Sequence, residues 1–394
     1  MDDIAATPKV LIQPSPQLTT VPASTRLQSL DALRGLTIAL MILVNTSGDG
    51  SHTYRLLLHS PWNGLTFADV VFPCFLFMMG ISLVLSLSGR KRRGLSNGLL
   101  ARTAFRRALV LFAIGLALNG FPFYDLHTLR IFGVLQRIAI CSFCGAVIFL
   151  WLRPRTIAIL TVSILLGYWI LLRWVPVPGF GTPGVDLPLL DPHGNWPAWV
   201  DRHLLPANHL YHRGYYDPEG LLSSVAALAS TLLGVLTGLA LLRPGAPVAR
   251  AKALLIAGVV CLSTGVVWSF WLPLNKRLWT SSFVAVNGGL SLMALALCLW
   301  WLDVSGKGRR IAYPLLVFGT NSLAAYTLSE FLAAFLSSVH VAGSTETLQQ
   351  WLFHPLAIVV PNLYVAALAY AILYVAICFV PIQWMYRRKI FLKV

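Results

Sequence analysis

FADVVFPCFLFMMGISLVLSLSGRKRR, residues 67–93, decides the fold. From Val70 to Ser88 no side chain is charged, and then Arg90, Lys91, Arg92 and Arg93 follow almost at once. A helix needs about 20 apolar residues to cross a hydrocarbon core, and a basic cluster at one end marks the side that stays in the cytoplasm. Nine further runs repeat the pattern, so that candidate spans lie at 30–47, 67–88, 104–120, 131–152, 155–172, 221–242, 251–271, 280–302, 314–337 and 362–385. The expected fold is an all-α polytopic bundle of about ten transmembrane helices in a lipid bilayer. Composition agrees: of 394 residues 57% are apolar and 11% charged, against about 25% charged in a soluble domain, too little polar surface to cover a soluble body of this size.

The net charge of +16 invites a nucleic-acid reading, and the placement of the 30 Lys and Arg argues against it. With both termini cytoplasmic, the loops on the other side hold only Arg55, Arg130, Arg173, Arg202, Arg213, Lys276 and Arg277; Arg137 lies within the fourth run, and the rest fall on the inner side. That asymmetry is the positive-inside pattern, so the basic character is topological and no nucleic-acid partner is expected. Residues 1–28, with Pro8, Pro14, Pro16 and Pro22 among Ser and Thr, read as a disordered cytoplasmic tail that precedes the membrane domain 29–394. All six cysteines fall in apolar runs, which argues against extracytoplasmic disulfides. Cys141 and Cys144 have redox-motif spacing but sit in a lipid-buried run, where packing is the plainer reading.

The same topology places all nine histidines on the outer side. Histidine is the side chain suited to proton transfer near neutral pH, so chemistry is expected at that face. The outer loop 173–220 carries eight prolines, three tryptophans and four histidines, and reads as an ordered cap over a pocket. His203, His209 and His212 in it lack an acidic ligand at fixed spacing, so no metal is expected. The most informative stretch runs from Asn45 to Pro73. Asp69 enters the second run near its N-terminal end, where the helix dipole favours an anion. An ionised carboxylate at the bilayer boundary is costly and calls for a partner, and His59 is the nearest one by sequence. A capping Asp with a surface His is the alternative reading of these two residues.

Leu30-Asp31-Ala-Leu-Arg34-Gly35, Val44-Asn45 and His59-Ser-Pro-Trp62-Asn63-Gly64-Leu-Thr-Phe-Ala-Asp69 together resemble the heparan-alpha-glucosaminide N-acetyltransferase family of the transmembrane acyltransferase superfamily, including its bacterial homologues. Gly133-Val-Leu-Gln136-Arg137, Asp217-Pro-Glu219-Gly220, Asn275-Lys276-Arg-Leu-Trp279-Thr and Gly319-Thr-Asn321-Ser322 continue the likeness in the same order, from about residue 26 to 390. The turn between Asn45 and His59 is longer here than in the family. The resemblance implies acetyl transfer from cytosolic acetyl-CoA to the amine of a glucosamine on the far side of the membrane, in a bacterial inner membrane with the site facing the periplasm, and a homodimer.

On that reading His59 is the general base or a transient acetyl carrier, Asp69 orients its ring, and Asn45 donates to the oxyanion. Arg137, Gln136, Asn321 and Ser322 would line a polar lane for the pantetheine arm, with Arg34, Arg106 and Arg107 at the phosphates. Trp62, Asn63, Glu219, Asn275, Lys276 and Trp279 would meet the acceptor sugar. Arg137 reads equally well as a tether between helices, and Trp279 as a residue of the interfacial aromatic belt. Two rivals stand beside this enzyme: a transporter of N-acetylglucosamine or a related amino sugar, and an acyltransferase with a lipid-linked sugar or surface polysaccharide as acceptor.

Overall fold

The structure is a computed structural model that describes residues 27–308 and 310–392. The expected tail over 1–28 lies, except for its last two residues, outside the described residues. Thirteen α-helices build the described chain: α1 (Gln28–Asn45), α2 (Phe67–Arg92), α3 (Asn97–Gly120), α4 (Val134–Trp151), α5 (Pro154–Trp174), α6 (Trp196–Leu204), α7 (Leu221–Leu241), α8 (Pro247–Trp268), α9 (Ser281–Cys298), α10 (Tyr313–Thr320), α11 (Ser322–Ser338), α12 (Leu348–Val359) and α13 (Leu363–Arg387). Seven helical segments are long and apolar enough to cross a membrane: α2, α4, α5, α7, α8, α9 with the turn that continues it to Val304, and α13. The protein is a polytopic helical membrane protein. The three other expected spans are helical too, but α1 carries Asp31 and Arg34, α3 carries Arg102, Arg106 and Arg107, and the ninth is broken.

Burial sorts the bundle. The apolar windows of α2, α7 and the α9 segment are buried for 61, 67 and 72% of their residues, whereas α5 and α8 reach only 28 and 22%. The first three are therefore the centre of the bundle, and α5 and α8 turn apolar flanks outward, as a lipid solvent allows. The helix starts follow local chemistry: α5 and α8 open with Pro154 and Pro247 in the first turn, where a missing N–H costs nothing.

The ninth run, expected as one helix over 314–337, is two. At Asn321 the backbone leaves helical geometry (φ −123°, ψ 41°), and the carboxamide holds the chain's far end instead. Its Nδ2 donates to Ile390 O (3.0 Å) and its Oδ1 accepts from Leu392 N (3.3 Å). On one side of this break α10 crosses α1 at very short range. A Cβ at Gly35 would lie 1.7 Å from Leu315 O, and one at Gly319 1.8 Å from Asp31 O. Only glycine fits at both positions, which explains why these two motifs accompany one another. The start of α1 and the end of α13 thus share one end of the bundle, here termed the arginine end because Arg90, Arg106 and Arg107 lie there too.

The opposite end carries the long loops. The loop 173–220, expected as a cap, contains α6, and Trp196 Nε1 donates to Val175 O (3.1 Å). A further helix, α12, stands where an outer connector is expected. Thr347 and Gln350 cap it reciprocally, and its 12 residues are too few to span.

Candidate functional site

Residues 59–69 position the site through the start of α2. Asp69 is the third residue of that helix, and one of its oxygens serves the backbone. Oδ2 accepts from Thr66 N (3.1 Å), Thr66 Oγ1 (3.0 Å) and Ser60 N (3.1 Å), closing a capping box with Thr66. The other oxygen is left for chemistry: His59 Nδ1 lies 2.9 Å from Oδ1. The two readings of Asp69, cap and partner of His59, both hold, one on each oxygen. The carboxylate is wholly buried, whereas the His59 side chain is 43% exposed. With Nδ1–H donating to Asp69, Nε2 becomes the basic nitrogen of a partly exposed ring.

Lys276 completes the cluster from 207 residues further on. Its Nζ lies 3.0 and 3.2 Å from the two ring nitrogens of His59 and 3.5 Å from Asp69 Oδ1. The loop between α8 and α9 presents it. Asn275 Oδ1 accepts from Leu278 N (2.8 Å), and Thr280 N returns to Asn275 O (3.1 Å), so the turn around Lys276 is rigid. This loop is stitched to the first one: Asn275 Nδ2 donates to Asn63 Oδ1 (3.1 Å), and Gly64 N to Leu274 O (2.8 Å). Burial holds the Lys276 ammonium's pKa below that of a free lysine, against the pull of Asp69 and Glu219.

The remaining predicted site residues separate into three places. Around the cluster, Trp62 Nε1 donates to Leu190 O of the cap (2.7 Å) and its ring meets Tyr216 edge-on. Trp279 lies behind the site rather than in it: it is buried, with Nε1 on Ser230 Oγ (3.1 Å) and the Arg137 guanidinium 4.8 Å from its ring centre. Arg137 itself is a tether. Its guanidinium donates to Pro218 O (2.7 Å), Ser224 Oγ (3.2 Å) and Ser223 Oγ. Glu219 pairs with Arg130 Nη2 (2.6 Å), which also binds Asp217 (2.6 Å). Arg130 holds Glu219 ionised although burial opposes it. Composition marked Arg130 only as one outer-loop cation; nothing in its spacing announced this pairing.

The second place is a cavity of about 630 Å³ between α1, α2, α3, α4 and α11. Its arginine end is lined by Arg90, Arg106 and Arg107, its walls are mostly apolar with Ser82, Ser86 and Thr103, and Ser322 faces it. Arg34 instead ties helices together, donating to Asp31 Oδ1 (3.3 Å), Gly319 O (3.2 Å) and Ser82 Oγ. Asn321 is occupied with the C-terminal backbone, as described above.

The third place is a recess of about 380 Å³ that shares the walls Val134, Leu135 and Tyr326 with the cavity. Asn45 and Gln136 line it, and Asn45 Nδ2 donates to Glu330 Oε1 (3.3 Å). Glu330 went unassigned in the sequence, although an acidic residue inside an apolar run is itself a signal. Two of the three loop histidines considered for metal are anchors: His203 Nδ1 donates to Trp199 O (2.7 Å), His209 Nδ1 to Leu129 O (2.8 Å).

Fold and site together define a class: a polytopic membrane protein that holds an imidazole, a carboxylate and an ammonium at one end of a helix bundle hollowed from the other. Residues 26–186 match the family described as heparan-alpha-glucosaminide N-acetyltransferase, catalytic. The mouse heparan-alpha-glucosaminide N-acetyltransferase is 30% identical over 94% of this chain and 61% of its own length, and the human one 32% identical over 76% and 52%. The chain thus spans between half and two thirds of the length of these relatives. The resemblance read from the motifs is upheld by all three matches.

Proposed function

We propose that the protein is a membrane acetyltransferase that moves an acetyl group from acetyl-CoA to the amine of a glucosamine-type sugar. The observation that carries this reading is the His59–Asp69–Lys276 cluster, standing at the end of the bundle opposite the arginine-lined mouth of the cavity. Acyl transfer across a membrane needs that division, because the CoA nucleotide and the acceptor approach from different sides. The nucleotide phosphates suit Arg90, Arg106 and Arg107, and the mostly apolar walls suit a pantetheine arm that carries the thioester toward Tyr326. By the positive-inside rule the arginine end is cytoplasmic and the His59 end faces the periplasm of a bacterial inner membrane.

His59 Nε2 takes the proton from the acceptor amine as its nitrogen bonds to the acetyl carbon. Asp69 fixes the tautomer and offsets the imidazolium charge. Asn45 donates to the oxyanion, the C–S bond breaks, and the proton passes from His59 to the departing CoA thiolate. Lys276, held beside the ring, moves aside when the acceptor amine enters.

The test is CoA release by purified protein given acetyl-CoA and glucosamine. Wild type releases CoA only when both are present, and His59→Ala abolishes release while keeping its thermal unfolding transition. Amino-sugar uptake that persists in His59→Ala, with no thioester consumed by wild type, reassigns the protein to transport.

A further inference from the structure

We infer that the recess beside Asn45 is the subsite that holds the acceptor as an amino sugar, with Glu330 as the carboxylate that receives its ammonium. The inference deepens the proposed function and rests on it for the chemistry, though not for the binding.

The lining has the character of a sugar site. Glu330 is its one charged side chain, and around it stand Asn45, Asn119, Gln136, Ser337 and Gln349, all neutral hydrogen-bonding groups. A carboxylate within an apolar helix is costly and marks a ligand or ion path by default. Its hydrogen-bond partner here is a neutral amide, Asn45 Nδ2 at 3.3 Å, which leaves its negative charge to be met by a ligand cation. Gln136 supplies a second, independent sign. It is 1% exposed, yet its Nε2 has no hydrogen-bond partner. Its carboxamide lies where a side chain at Gly115 would collide, 2.5 Å from Oε1 and 2.9 Å from Nε2. A buried amide donor left open is destabilising, and a sugar hydroxyl at the recess would satisfy it.

Location agrees with use. The recess and the cavity share Val134, Leu135 and Tyr326 as a wall, so a thioester that travels the cavity arrives beside it. Its volume of about 380 Å³ takes one hexose with its solvent but not a glycan chain, which would have to trail outward past Gln349. The ammonium held by Glu330 is the unreactive form. It loses one proton to solvent to become the neutral amine, and the second passes to His59 as the nitrogen bonds to the acetyl carbon.

Calorimetric titration of the detergent-solubilised full chain with glucosamine, without acetyl-CoA, reads binding alone. Wild type is expected to bind glucosamine at least tenfold more tightly than glucose or N-acetylglucosamine, which lack the cation. Glu330→Gln should remove that preference, and Glu330→Asp should retain part of it. Ala334→Leu, which fills the recess without touching its charge, should weaken glucosamine and glucose alike. Glucosamine binding unchanged in Glu330→Gln and in Ala334→Leu, with both variants unfolding at the wild-type temperature, overturns the subsite. The same holds if CoA release in Glu330→Gln keeps the wild-type acceptor KM. Glucosamine binding that depends on Glu330 in a protein that never consumes acetyl-CoA leaves the subsite standing and removes the transferase.

Discussion

Two carboxylate clusters stand at the same end of the bundle and are built from similar residues to opposite ends. In one, Asp69 is buried and Lys276 mostly so, but the imidazole of His59 is 43% exposed. In the other, Asp217 and Glu219 are clamped by Arg130 with three contacts of 2.6–2.8 Å, and Arg137 reaches over from α4 to the carbonyl of Pro218. The second cluster fixes the entry into α7, with Asp217 wholly buried and Glu219 nearly so. Charge at a membrane boundary is therefore not enough to identify a reactive site; an accessible atom with an unfinished hydrogen-bond set is.

Substitution on each side should split activity from stability. His59→Ala is expected to lower CoA release about 100- to 10,000-fold with little change in unfolding temperature, because a half-exposed ring contributes little packing. Arg130→Ala should do the reverse. Two buried acids lose their cation at once, which costs about 3–5 kcal/mol, read as lower yield and an earlier thermal transition in a fluorescence scan. Arg130→Ala with wild-type stability would erase the contrast between the clusters.

Asp69→Asn sharpens the comparison from within the first cluster. The carboxamide oxygen can still accept from Thr66 N and Ser60 N, so α2 keeps its cap. The negative charge facing His59 Nδ1 is gone, and the rate should fall about 100- to 10,000-fold through loss of the oriented tautomer. Unfolding of this variant would make the capping oxygen the main role of Asp69.

How far the sequence announced these arrangements differs from residue to residue. The spans were legible because hydrophobic runs and flanking arginines are local signals, and eight of the ten runs fall on single α-helices with ends shifted by a few residues, the run at 280–302 being α9 prolonged by its π-helical turn. The break at Asn321 was not, because its cause is a backbone segment 69 residues away. The pairing of His59 with Asp69 was legible at ten residues' separation and through the dipole argument. Lys276 was visible only through resemblance, since its approach depends on two loops stitched by Asn63 and Asn275. The hydrogen bond from Asn45 to Glu330 was not legible, because that long-range contact has no periodicity to reveal it.

Asp201 carries the smallest expected effect, and it separates the clusters by pH. It sits in α6 with Oδ2 accepting from Asp217 N (2.9 Å) and Oδ1 buried without a partner, and burial pushes its pKa up to about 7. An unfolded aspartate titrates near 3.9, so the folded state holds this proton more tightly than the unfolded one. The resulting stabilisation is full below pH 4 and is lost as pH rises toward and through 7, at a slope of about 1 kcal/mol per pH unit. The closed cluster should therefore loosen slightly between pH 5 and 7.5, seen as a falling unfolding temperature. Asp201→Asn, which keeps an acceptor for Asp217 N and never ionises, should flatten that slope while leaving the ratio of CoA release at the two pH values unchanged. A slope that survives in Asp201→Asn would assign the pH response to another group, and a changed activity ratio would tie the cap to the open cluster after all.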